Sequence, residues 1–202
     1  MDFSNIGFVV RGTIMQLILF MSIPFVWWTL KYRKESSFFR WMGVYKPSVN
    51  KTINSAIYII ILYCIIWILL HSSMVSKLIG DGDGLFYKMG SKAIIPCFIV
   101  AFFQNGLCEE LFSRGFLLKR LLTKFSFTYA NILQAFLFAM LHIAIGGSGL
   151  PLFNAVALVI KTFIGGWILG YISEKEFRGS IIPGVILHGL GNFITYLINA
   201  FL

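Results

Sequence analysis

Unbroken apolar runs divide the chain into six long hydrophobic stretches joined by short polar or glycine-rich connections. They fall near Gly7–Leu30, Ile53–Ile79, Ala93–Leu118, Phe127–Ile145, Leu152–Ile172 and Ile181–Phe201. About 20 apolar residues in a helix cross the roughly 30 Å of hydrocarbon in a bilayer, so each stretch is long enough to span. Pro151 and Pro183 stand where the last two begin, positions at which a missing N–H costs nothing. The glycines from Gly80 to Gly84 and from Gly146 to Gly149 read as turns. The first stretch follows almost no basic residues and lacks a small-residue cleavage site, which predicts a retained helix and not a cleaved signal. No repeat, low-complexity segment or linker interrupts the pattern. The prediction is one all-α domain over residues 1–202, a polytopic transmembrane helical bundle of about six spans.

Composition agrees with that reading. Hydrophobic residues make up 58% of the 202 residues and charged ones 12%, against about 25% charged in a soluble domain. One globular core of this size cannot hide so much apolar surface, so lipids are its expected surroundings. The net charge of +9 comes from basic residues set between the spans and forming no separate basic domain, which argues against nucleic acid as a partner. Eleven of them, among them Lys31, Arg33, Arg40, Lys119, Arg120, Lys175 and Arg178, fall on one side of a six-span bundle. Four, Arg11, Lys77, Lys88 and Lys92, fall on the other. The richer side is expected to be cytoplasmic, with both termini outside. Cys64, Cys97 and Cys108 form no CxxC, hence neither a disulfide framework nor a zinc ribbon. Richness in Ile, Phe and Lys points to an AT-rich genome and so to a bacterial plasma membrane.

Charged residues inside spans are costly and mark function. The run Glu109-Glu110-Leu111-Phe112-Ser113-Arg114 sits within the third stretch. Glu110 and Arg114, four apart, can pair on one helix face. Glu109 is rotated about 100° from that pair, and a desolvated carboxylate there suits general-base work on water. Phe138 and His142 share a face one turn apart on the fourth stretch. His188 and Asn192 do the same on the sixth, where Gly184, Gly189 and Gly191 let neighbouring backbones approach. They read either as interhelical polar glue or as donors aimed at an oxyanion. His71, ending the second stretch without a partner motif, reads as interfacial. Asn105 and Gly106, just before Glu109, are expected to break the third span and open a polar cavity.

EExxxR, FxxxH and HxxxN, in that order on successive hydrophobic helices, resemble the CPBP family: CAAX prenyl endopeptidases and bacteriocin-processing enzymes, also called the Abi family. Here they stand as Glu109-Glu110…Arg114, Phe138…His142 and His188…Asn192, and Gly115 and Phe116 extend the first to EELFSRGF. The resemblance covers roughly residues 93–202, while residues 1–92 match only as generic hydrophobic helices. It implies an intramembrane endopeptidase acting on a membrane-associated, prenylated or otherwise lipophilic peptide. Glu109 and His142 would hold and activate the attacking water, Glu110 tied to Arg114 would buttress them, and His188 with Asn192 would stabilise the oxyanion.

The family's metalloprotease label implies a divalent metal such as zinc, with Glu109, His142 and His188 as the ligand set. The lack of an HExxH motif and the amide of Asn192, a poor zinc ligand, favour a metal-free glutamate mechanism. A non-proteolytic membrane immunity or regulatory protein of the same fold is the alternative reading, and a small transporter a more remote one. Counted from the cytoplasmic ends, Glu109 and His188 fall in the inner half of the bilayer and His142 nearer the outer surface. For these groups to meet, the third span must break or tilt near Gly106, or the fourth must begin deeper.

Overall fold

The computed structural model describes residues 5–49, 53–70, 85–146 and 149–202, and all the regular structure in them is helical. Among the described residues, five helices are long and apolar enough to cross a membrane: α1 (Ile6–Lys31), α4 (Gly90–Leu121), α5 (Phe127–Gly146), α6 (Leu152–Tyr171) and α7 (Ile182–Phe201). Two more are α2, a single turn at Phe38–Trp41 in the expected cytoplasmic loop, and α3 (Ile53–Leu70). α3 covers the first part of the second expected span; the rest of that stretch, with His71 and the turn at Gly80–Gly84, lies outside the described residues. The chain is an integral multi-pass membrane protein. Its lipid-facing surface shows directly in α1, where Met15, Ile18 and Leu19 are each about two-thirds exposed.

Two compact units form. The first comprises Met1–Pro47, Asp83–Phe116 and Ser180–Leu202. Its centre is the packing of α7 on α4, supported by α1. The expected break at Gly106 does not occur, because α4 runs on from Gly90 to Leu121 by widening into π-helix at Val100–Leu107 and again at Leu111–Leu118. A π-turn shifts the hydrogen-bond register without interrupting the backbone ladder, which lipid would penalise. Asn5 caps α1, its side-chain oxygen accepting from Phe8 N at 3.1 Å. Farther along, Gln16 Nε2 donates to the Gln104 carbonyl at 2.9 Å, and Gln104 Nε2 returns a bond to Gln16 Oε1 at 3.2 Å. Thr13 Oγ1 adds a contact to Gln104 Oε1 at 3.3 Å. These amides pin α1 to the first π-segment.

Glycine sets the close approaches. A Cβ on Gly106 would lie 3.1 Å from the Val185 carbonyl and 3.2 Å from Gly189 Cα, so α4 and α7 meet backbone to backbone there. At Gly115 a Cβ would lie 2.6 Å from the Met42 carbonyl. The adjoining Gly43, at φ 82°, turns the chain so that its carbonyl accepts from Ile181 N at 3.0 Å. Ser180 Oγ then donates to the Tyr45 carbonyl at 2.8 Å. The segment Met42–Tyr45 thus ties the end of the EELFSRGF run to the start of α7. Around it Trp41, Met42, Leu111, Phe116 and Ile181 form a buried apolar cluster.

These contacts carry a stability prediction. Gly115→Val forces a Cβ into a backbone oxygen that cannot rotate away, and overpacking of this kind costs about 1–3 kcal/mol or more. Gly12, on α1, has nothing within 4 Å of its Cβ position, and Gly12→Ala should stabilise by up to ~1 kcal/mol through helix propensity. Thermal denaturation of the two variants in detergent should therefore shift in opposite directions.

The second unit comprises Ser48–Gly82 and Leu117–Gly179. Here α5 and α6 share a seam of small and amide residues. Ala130, Ala135 and Ala139 are fully buried, and Gly170 faces Asn131 with no room for a side chain. Asn131 Nδ2 donates to the Trp167 carbonyl at 2.9 Å, and Gln134 Nε2 to that of Gly166 at 3.0 Å. Without a hydrophobic drive between helices in lipid, such small residues and amides hold the pair together. Past α6, a π-turn at Ile172–Glu176 brings Glu174 to Lys119, whose Nζ lies 2.9 Å from Glu174 Oε1 and donates to the Gly179 carbonyl at 2.8 Å.

Candidate active site

Five of the six sequence-derived site residues lie in the first unit, on α4 and α7. Glu109 and Glu110 occupy a short α-helical stretch, Cys108–Glu110, between the two π-segments, and Arg114 follows within the second. His188 and Asn192 lie one turn apart on α7. The Gly106–Gly189 approach places the glutamates opposite His188.

The ion pair expected from spacing is present: Arg114 Nη1 lies 2.8 Å from Glu110 Oε1, and both side chains are completely buried. Spacing did not reveal that the same oxygen is shared. His188 Nδ1 donates to Glu110 Oε1 at 3.0 Å. A carboxylate only accepts, so Nδ1 carries the proton and Nε2 is the nitrogen turned to the remaining space. That Nε2 lies 3.8 Å from Glu109 Oε2. The separation is too long for a direct hydrogen bond and suits a water touching both atoms. The two adjacent glutamates therefore sit differently: Glu110 is locked between a guanidinium and an imidazole, while Glu109 turns an oxygen towards the outer nitrogen of that imidazole. Asn192 is half-buried one turn beyond His188.

His142 belongs to the second unit, on α5. Its Nδ1 lies 2.9 Å from the Phe138 carbonyl, and the two rings stack edge to face with centroids 4.5 Å apart. A carbonyl cannot donate, so His142 too is protonated on Nδ1 and presents Nε2 as an acceptor. The FxxxH spacing thereby acquires a physical meaning: Phe138 orients the imidazole through both its backbone and its ring.

Sequence reasoning missed a second polar pair in the first unit. Asn105 Nδ2 donates to the Tyr196 hydroxyl at 2.6 Å. Asn105 is one turn before Glu109, and Tyr196 one turn after Asn192, so both extend faces already singled out. The four-residue step from His188 through Asn192 to Tyr196 was the available signal. Gln16 and Gln104 were also passed over, because an uncharged amide in an apolar run reads as filler.

A protein-family model described as type II CAAX prenyl endopeptidase, Rce1-like, matches residues 91–194. The match takes in slightly more than half the chain and every residue of the three motifs. The chain belongs to this family. It is thus a member of a family of intramembrane proteases, carrying the family's region on α4 to α7. No curated protein and no solved structure matches it.

The zinc implied by the metalloprotease label can be tested against the donor set. Glu109 Oε2 and His188 Nε2 converge, and the bond from the other nitrogen of His188 to Glu110 is the support a metal-binding histidine usually has. Among the described residues, no three His, Cys, Asp or Glu side chains are grouped to hold a metal ion. Of the implied ligand set, Glu109 and His188 stand together in the first unit, and His142 lies in the second.

Proposed function

We propose that this Rce1-like protein is an endopeptidase hydrolysing a peptide bond of a membrane-associated, lipophilic peptide, of the CAAX type or of the bacteriocin or pheromone type. The observation carrying this reading is the shared Glu110 oxygen, which fixes His188 so that its Nε2 faces Glu109 Oε2 at 3.8 Å. Glu109 takes a proton from a water held between these atoms, and the water oxygen adds to the scissile carbonyl carbon. The carbonyl oxygen becomes an oxyanion, which accepts hydrogen bonds from His188 Nε2–H and the Asn192 amide. This step requires a proton on both ring nitrogens of His188. Collapse of the tetrahedral centre breaks the C–N bond, and Glu109 returns its proton to the departing amine. Glu110 and Arg114 are positioning residues that act through His188.

The test compares membrane and secreted peptides from cells expressing the wild type with those expressing Glu109→Ala at matched abundance. A peptide terminus found only with the wild type is the expected result, and it identifies substrate and cleavage position together. Identical peptides, with a host phenotype kept by both proteins, would transfer the reading to a non-proteolytic immunity or regulatory role.

A further inference from the structure

Two polar rungs join α4 to α7 in the first unit. One is Glu109 and Glu110 with His188, and the other is Asn105 with Tyr196. On α4 the rungs are four residues apart, about 6 Å, and on α7 eight residues, about 12 Å. Asn192 lies between them on α7. The second rung contributes nothing to the chemistry described above, yet it is held with care. The Tyr196 ring meets the Phe86 ring edge-on, with centroids 5.3 Å apart. Phe86 is buried in a left-handed conformation at φ 71°, which a bulky side chain adopts only under constraint from its surroundings.

The hydrogen bond leaves a specific remainder. Tyr196 accepts from the Asn105 amide, so its own O–H is a donor, and Asn105 Oδ1 is an acceptor. Reversing the amide would exchange these roles and still leave one donor and one acceptor. A peptide group offers the complement, one C=O and one N–H. A peptide presented for hydrolysis must be unwound, and in a bilayer its freed backbone groups need partners supplied by protein. At about 3.3 Å per extended residue, a strand whose scissile carbonyl lies at His188 and Asn192 reaches the second rung two to four residues away.

We infer that the Asn105–Tyr196 pair is a backbone-recognition subsite that hydrogen-bonds one peptide group of the substrate on a flank of the scissile bond, and so sets which bond faces Glu109. This rests on the endopeptidase reading. Asn105 and Tyr196 are specificity-determining residues in it.

The experiment uses the full-length protein in liposomes with a farnesylated CAAX-type peptide and a matching series in which each amide flanking the cleaved bond is replaced in turn by an ester. Tyr196→Phe deletes only the hydroxyl, and Asn105→Ser is the second variant. Each should raise KM about tenfold, one lost hydrogen bond's worth, with kcat within about twofold, and should yield a second product cut at a neighbouring bond. One ester position, which deletes the N–H that meets Asn105 Oδ1, should slow the wild type by a similar factor and slow Asn105→Ser no further. A single unchanged product with wild-type KM in both variants would overturn the subsite. So would lowered melting temperatures with an unchanged KM, which would make the rung interhelical glue. If the wild type leaves the peptide as intact as Glu109→Ala does, the CAAX-type endopeptidase reading fails first, and the subsite falls with it.

Discussion

Arg114→Leu should be the most destabilising single change in the first unit, by about 3–5 kcal/mol. Removing one partner of a buried ion pair strands the other charge, and Glu110 is completely buried. The expected readouts are a large fall in apparent melting temperature in detergent and a fall in steady-state abundance. Arg114→Lys should recover only part of the loss, since an ammonium cannot reproduce a planar fork fixed beside one carboxylate. Adding Glu110→Gln to Arg114→Leu should restore stability relative to Arg114→Leu alone, because the stranded charge is gone. Activity should not return with it. The side-chain amide introduced by Glu110→Gln can still accept from His188, but the anion opposite the imidazolium is missing. A double variant that is both stable and fully active would remove Glu110 from the positioning of His188.

The second large effect lies at Glu109. Glu109→Gln keeps size and hydrogen bonding but cannot take a proton from water, so hydrolysis should fall by about 10²–10⁴, the usual worth of a general base. Its melting temperature should stay close to that of the wild type, because the Glu110–Arg114–His188 set is untouched. The contrast between the neighbours is the informative result: Glu109 variants stable and inactive, Arg114 variants unstable. Equal loss of stability at both positions would mean that Glu109 serves structure.

The difference between these neighbours marks how far the sequence can be read. Apolar run length located the helices, because a bilayer demands about 20 consecutive apolar residues and says so locally. The same logic exposed Glu109, Glu110, Arg114, His142, His188 and Asn192, since polar groups inside such runs stand out at their cost. Helical spacing found the Glu110–Arg114 pair and the Phe138–His142 pair, both of which the structure contains. Three motifs in order were enough for the family.

What the sequence could not show depends on contacts between residues far apart along it. Gly106 was expected to break α4, but a run of apolar residues does not say whether a polar interruption ends a helix or rewinds it. Tertiary packing decided for a π-wound helix, with Gln16 on α1 bonded to the Gln104 carbonyl and Gly189 on α7 pressed against Gly106. That rewinding and that approach bring Glu110 to His188, a residue 78 positions away, and Asn105 to Tyr196, 91 positions away. Sequence alone determined a membrane-spanning helical protein with an intramembrane set of carboxylates, imidazoles and amides. Only the tertiary structure decided which nitrogen of His188 faces Glu109 and which polar residues share its face, because a side chain's partner is set by the helix packed against it and not by its own helical period.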